Sequence, residues 1–253
     1  MKLKLLSQNL HCLVEEDIET KQKTIADEIA KRDIDIIFMQ EVAQTHSDNL
    51  TDVKSDNYGL KLLELLREKG LHYFLYYEPI KKSFGVYDEG LAILSKYPLA
   101  KAFSRLISKV DDYENWKRRK VLGYNLSLKG KLITLATTHF GWTDEVEVFE
   151  DQFDLATKSK MVENLFILAG DYNVVPSSKE YKHIMSKNWI NLSIPTKDNV
   201  YLSTFRGDDT EHKEVRRLDY IMTNKHVEVL KEEILFIDER VSDHYGLYIE
   251  IEL

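Results

Sequence analysis

Short polar motifs recur along this chain in a fixed order, nearly all where an apolar run ends or begins. They are Asn9 in SQNL, Glu41 in FMQEV, His139 in TTHFGW, Asp171 and Asn173 in AGDYNVVP, Asp219 in RLDY, and Asp243 with His244 in VSDH. Carboxylates, amides and imidazoles in one place can hold an oxygen-preferring divalent cation, orient a water and grip a phosphate. Glu41 follows the apolar run IDIIFM, where a carboxylate is costly unless it is paired or meets a cation. Alone it reads as a loop acid; with the Asn9 amide beside it, it reads as a magnesium ligand. Asp171 and Asn173 lie two apart after a strand, so both can face one cavity. An aspartate there can deprotonate a water while an asparagine donates to a phosphate oxygen; an Asx-type turn is the structural alternative. Asp219 can hold the His244 ring in its working tautomer, and His139 can supply a second imidazole.

Other chemistries lack their signatures. The chain has no G-x-S-x-G elbow, Walker loop or G-x-G-x-x-G turn, and Cys12 has no activating neighbours in sequence. Without H-x-x-x-H or C-x-x-C pairs the oxygen-rich set favours Mg2+ or Mn2+ over zinc.

Hydrophobic periodicity places these motifs on elements. Strands are expected at residues 2–9, 34–39, 72–77, 91–95, 101–106, 121–128, 132–138, 165–169, 217–223, 227–235 and 247–250. Helices are expected at residues 17–32, 58–69, 145–163 and near 178–187. Helices scattered among more numerous strands fit two packed sheets flanked by helices, hence one α/β domain over residues 1–253.

Bulk composition sets limits. A hydrophobic fraction of 43% over 253 residues supports a substantial core, and one cysteine precludes an internal disulfide. The N-terminal residues are too short and alternating for a signal-peptide core, and no apolar stretch is long enough to span a bilayer. A cytoplasmic protein without membrane partners is the expectation. A net charge of −8 weighs against nucleic acid as substrate.

The ordered motifs resemble the endonuclease/exonuclease/phosphatase superfamily from Asn9 to His244, and EGLAILSKYPL resembles its recurring strand motif. The resemblance implies a four-layer α/β/β/α sandwich of the DNase I-like kind with its site at one edge of the sheets. It implies Glu41 as principal metal ligand assisted by Asn9, and Asp243 holding the metal or its waters. Asp171 would activate the water, Asn173 bind phosphate, His139 and His244 stabilise the pentacoordinate phosphorus, and Asp219 orient His244. The middle of the chain is most similar to the branch containing bacterial maltose 6'-phosphate phosphatase, through GVYDEGLAILSKYPL, DDYENWKRRKVLG and THFGW. His11 and Gly141-Trp142 depart from the DNA-repair pattern.

A small phosphorylated substrate, a sugar phosphate, is therefore expected. Trp142 and Trp116 are candidate stacking platforms and Arg118 a candidate phosphate contact. The plain alternatives are a core tryptophan for Trp142 and, for residues 111–120 with Lys117, Arg118, Arg119 and Lys120, an exposed hairpin with solvated charges. A metal-dependent nuclease is the second expectation. A sphingomyelinase-like phosphodiesterase is third, lacking an apolar docking surface, and a non-catalytic module ranks last.

Overall fold

In the computed structural model, which describes residues 1–158, 164–194, 202–206 and 216–253, the apolar runs form two mixed sheets. The first part of the chain gives β1 (Lys2–Asn9), α1 (Ile18–Arg32), β2 (Ile36–Thr45), α2 (Tyr58–Glu68), β3 (Phe74–Ser83) and β4 (Tyr87–Ser95). The middle gives β5 (Ala100–Leu106), β6 (Lys120–Leu128), β7 (Lys131–His139), α3 (Phe149–Ala156), β8 (Leu165–Asp171) and α4 (Lys179–Ser186). The remainder gives β9 (Ile190–Asn191), β10 (Asp219–Thr223), β11 (Glu228–Leu235) and β12 (Gly246–Glu252). Among the described residues the strand orders are β11-β12-β1-β2-β4-β3 and β5-β6-β7-β8-β10-β9.

Strand periodicity builds the layers. Leu5, Ile36, Phe38 and Ile93 of one sheet meet Leu122, Leu135, Ile167 and Ile221 of the other in a fully enclosed inner core. Their sequence neighbours point outward. Leu6, Ile37 and Ala92 pack on Ile25 and Ile29 of α1 and Leu62 and Leu66 of α2. Ala136, Phe166 and Leu168 pack on Phe149 and Phe153 of α3 and Ile184 of α4. The order is helix, sheet, sheet, helix, as the family resemblance implies. Two helices start on side-chain caps: Asn57 accepts from the Leu60 amide and Ser178 from the Tyr181 amide.

Each sheet has one parallel pair, β1 with β2 and β7 with β8, and every other pairing is antiparallel. Strands β1, β7 and β8 therefore end at the rim where β10 begins and to which the segment before β12 leads. That topology puts the polar motifs together.

Several boundaries differ from the sequence reading. Strand β2 runs on through Thr45, so Glu41 lies inside a strand and not after it. Strand β3 extends to Ser83 through the polar EPIKKS, which an edge strand tolerates because one side of its ladder is open. Strand β4 starts at Tyr87 and β10 only at Asp219. The third helix is short, and residues 159–163 of the expected span lie outside the described residues. None of the described helices is long and apolar enough to cross a membrane.

Candidate active site

Glu41 owes its direction to a β-bulge. The β2–β4 register passes from Met39 opposite Ala92 to Val42 opposite Gly90, so Gln40 and Glu41 together face Leu91. Glu41 adopts a left-handed φ of 55°, uncommon for a side-chain-bearing residue and typical of functional positions. Asn9, the last residue of β1, donates from Nδ2 to Glu41 Oε1 at 3.0 Å and to Asp171 Oδ2 at 3.1 Å. One amide thus ties the two sheets together. Its own oxygen accepts from the His11 amide at 3.1 Å, so Asn9 offers nitrogen, not oxygen, to the site.

Asp171 is the hub. It ends β8, is 1% exposed, and stands in register with His139 on β7 and Asp219 on β10. Gly170 lets the strands approach this closely, because a Cβ there would sit 1.9 Å from the Thr138 carbonyl oxygen. Asp171 Oδ2 lies 3.6 Å from both His139 Nε2 and His244 Nε2. That is too long for a direct hydrogen bond, yet one oxygen could bridge the groups. Asn173 completes this corner with φ 53°: its amide donates to Asp171 Oδ1 at 2.9 Å, an Asx turn. Its Nδ2 donates to the Phe140 carbonyl at 2.8 Å and faces His139 Nε2 at 3.1 Å. That contact makes Nε2 the acceptor and leaves the His139 proton on Nδ1, 3.8 Å from Glu41 Oε1.

His244 is held from two sides. Its Nδ1 meets Asp219 Oδ2 at 2.9 Å, and the Phe205 ring packs edge-on with centroids 4.9 Å apart. Thr204 Oγ1 accepts from the amides of Leu218 and Asp219, at 3.0 and 2.9 Å, which fixes the start of β10. Asp219 Oδ1 is buried without a hydrogen-bond partner among the described residues. Asp243 turns its carboxylate to His11, 3.5 Å from Nδ1, and the same nitrogen meets Glu15 Oε1 at 2.8 Å.

Burial and charge tune these groups. Burial pushes Asp171 up to about 7, against the opposing pull of His244. For His244 burial acts downward, but Asp219 and Asp171 outweigh it and raise the ring to about 10. His139 is driven well below its ordinary value by burial, then by the positive charges of Arg119 and Lys81. Glu41 is raised by burial and by Glu89, which lines the same notch.

This crowding is what a divalent cation relieves. The groups near Glu41 are carboxylates and the imidazoles of His11 and His139, a set that can hold a divalent cation. His11, Glu15 and Asp243 bring one ligand atom each within 4.8 Å of one another, and so do Asp171, Asp219 and His244. In the second group Nδ1 of His244 is already committed to Asp219. The first group, whose His11 lines the same cleft as Glu41, fits a divalent cation.

Of the candidate substrate residues, Trp116 is 57% exposed and lines a cleft of about 600 Å³ with His11, Glu41, Lys81, Phe84 and Asn115. Arg118 borders a narrow notch beside Glu41 and His139, but its guanidinium is anchored by Asp111 at 3.0–3.1 Å and by the Ile80 carbonyl. Trp142 is exposed and is not part of the cleft lining, nor is it a core residue. Sequence reasoning overlooked Glu89, Lys81 and Phe84 and took Arg119 only as one charge of a basic run, yet all four line the cleft or the notch. Glu89 had a signal, since it opens the EGLAILSKYPL motif; Phe84 and Lys81 had none.

Two mixed sheets with acid, amide and imidazole groups converging at their common rim define a hydrolase of phosphoric esters that works with a divalent cation. The family model for the endonuclease/exonuclease/phosphatase family matches residues 6–244, and the chain belongs to that family. Among solved structures it is similar to a protein of that family from Leptotrichia buccalis C-1013-b, with 25% identity, a TM-score of 0.88 and coverage of 99% of this chain and 100% of that one. It shares its fold with D. rerio TDP2 complexed with a single-strand DNA product, at 14% identity, TM-score 0.72, and coverage of 100% and 99%. The human Nocturnin catalytic domain with bound sulfate shares it at 20% identity, TM-score 0.70, and coverage of 99% and 93%. Comparison with curated proteins gave no match.

Proposed function

We propose that this chain is a divalent-metal-dependent phosphomonoesterase that releases inorganic phosphate from a sugar phosphate by direct attack of water. The observation that carries the reading is the Asp171 carboxylate, buried and placed 3.6 Å from two imidazole Nε2 atoms. Asp171 orients the water and takes its proton, a task suited to a group poised near neutrality. The His244 imidazolium, steadied by Asp219, donates from Nε2 to a phosphoryl oxygen as negative charge grows there. Asn173 fixes the neutral His139 ring through Nε2, which leaves the Nδ1 proton on the Glu41 side of the site. Glu41 and Asp243 are the residues that would hold the cation, with Asn9 fixing the Glu41 carboxylate. Bound there, Mg2+ or Mn2+ supplies Lewis-acid stabilisation of the phosphoryl and leaving oxygens. In the chemical change the water oxygen bonds to phosphorus, the ester P–O bond breaks, and the leaving sugar oxygen takes a proton from solvent while Asp171 returns the one it accepted to solvent.

The cleft supports a small, uncharged leaving group. Trp116 and Phe84 offer exposed aromatic faces, while Glu89, Asp112 and Glu114 would repel an extended polyanion. Lys81 and Lys82 on the same wall favour a nuclease as the second reading. A phosphate-release screen over sugar phosphates, nucleotides and short DNA, with magnesium, manganese or chelator, separates the two. Metal-dependent phosphate release from a hexose or disaccharide phosphate is expected; preferential cleavage of DNA would sink the sugar-phosphate assignment.

A further inference from the structure

Arg119 precedes β6, inside the KRRK run, yet it is only 5% exposed. Its backbone is clamped: its amide donates to Ser108 Oγ at 2.9 Å and its carbonyl accepts from the Ile107 amide at 3.0 Å. The guanidinium is poorly satisfied. Nη1 donates to the carbonyls of Trp116 and Arg118 at 2.5 and 3.1 Å, while Nε is buried with no partner. Among the described residues it makes no ion pair, although Glu89, Glu41, Asp171 and Glu147 all act on it through their charge. Each of those acids is engaged elsewhere. Glu89 binds Lys81 and Ser83, and Glu147 binds the amides of Lys109 and Val110 and the Gln152 side chain. Glu41 is held by Asn9, and Asp171 by Asn9 and the Asn173 amide.

A buried cation without a carboxylate partner or a full set of acceptors is costly in a native interior. Arg119 also borders the notch it shares with Glu41 and His139, a space for about one oxygen atom. We propose that Arg119 is a substrate-contacting residue whose free N–H groups bind a non-bridging oxygen of the phosphoryl group. The inference rests on the phosphoesterase reading of this site. Through its bond to the Trp116 carbonyl, the same guanidinium couples phosphate occupancy to the wall of the cleft. Arg118, anchored by Asp111, does not serve this purpose.

The test uses the whole protein with magnesium and inorganic phosphate as probe. Phosphate affinity is read by competitive inhibition and, independently of turnover, by phosphate-induced thermal stabilisation and tryptophan fluorescence. Arg119→Met keeps the length and removes the donors; it should weaken phosphate about 10- to 100-fold, the worth of a charged hydrogen bond. Arg119→Lys should recover part of that loss, and guanidinium at millimolar concentration should rescue Arg119→Ala. Should either uncharged variant melt below assay temperature, the lysine variant and the rescue still decide. Phosphate affinity in Arg119→Met or Arg119→Lys equal to wild type, with the fold intact, overturns the assignment. Wild type that binds phosphate through Arg119 but hydrolyses no ester would instead refute the phosphoesterase reading alone.

Discussion

Replacing Asp219 with asparagine removes one negative charge 2.9 Å from His244 Nδ1 and preserves the side-chain shape. A hydrogen bond between charged groups contributes about 1.5–3 kcal/mol, and 1.36 kcal/mol corresponds to one pKa unit, so the substitution should lower His244 by roughly 1–2 units. The alkaline limb of kcat/KM should then move from near 10 to roughly 8–9, because the imidazolium is the form that donates to phosphate. A histidine raised in the folded state stabilises the fold fully below its unfolded pKa of about 6.5. That contribution is lost as pH rises through about 10. The variant should accordingly be less stable than wild type at neutral pH, with the difference shrinking on the alkaline side. Asparagine can also turn its NH2 toward Nδ1, which keeps the ring proton on Nε2 but leaves a neutral and weaker donor to the phosphoryl oxygen. Neutral-pH turnover should therefore fall by no more than roughly tenfold, the difference between a charged and a neutral hydrogen bond. The assays are kcat/KM against pH by phosphate release and an NMR titration of the His244 ring in metal-free protein. An unshifted His244 titration together with near-wild-type turnover would refute the reasoning.

Glu41→Gln should lower turnover by about 10³ or more and abolish magnesium-induced thermal stabilisation. It should also raise the metal-free melting temperature, since it removes a half-buried carboxylate crowded by Glu89; a lower one would show that Glu41 is satisfied without a cation. Gly170→Ala drives a Cβ to 1.9 Å from the Thr138 carbonyl and should cost about 3 kcal/mol or more in urea unfolding; a stable, active variant would mean that β7 and β8 can separate freely. Trp116→Ala should raise KM for a sugar phosphate by about tenfold and leave inhibition by inorganic phosphate unchanged, because the proposed stacking is on the sugar and not on the phosphate. An equal rise in both constants would place Trp116 at the phosphate instead.

The site was legible where chemistry coincides with the end of an apolar run. Asn9, His139 and Asp171 close strands whose interiors are almost wholly buried, so hydrophobic runs in the sequence mark their positions. Glu41 was legible as a candidate residue but not in its placement, because a bulge and a positive φ leave no trace in an apolar run that continues through Val42 and Ala43. Arg119 was hidden for the opposite reason. Flanked by Arg118 and Lys120 it reads as one of several solvated charges, and only tertiary packing buries it. Three residues after His139 the chain has left the sheet, so Trp142 is exposed and outside the cleft lining. Strand β3 was cut short because a proline and two lysines look like a terminus, although they pair with β4 through an irregular register.

In the first sheet β1 lies between β2 and β12, so its Lys2 pairs with Glu252 from the far end of the sequence. Such pairing gives a high contact order, and closure of this sheet should come late in folding. A refolding chain can thus collapse, gain helices and even form the β3–β4 hairpin without owning the His244 corner. Recovery of phosphate-binding competence after dilution from urea should therefore lag behind the return of far-UV ellipticity, making ligand affinity a direct clock for docking of β12 beside β1.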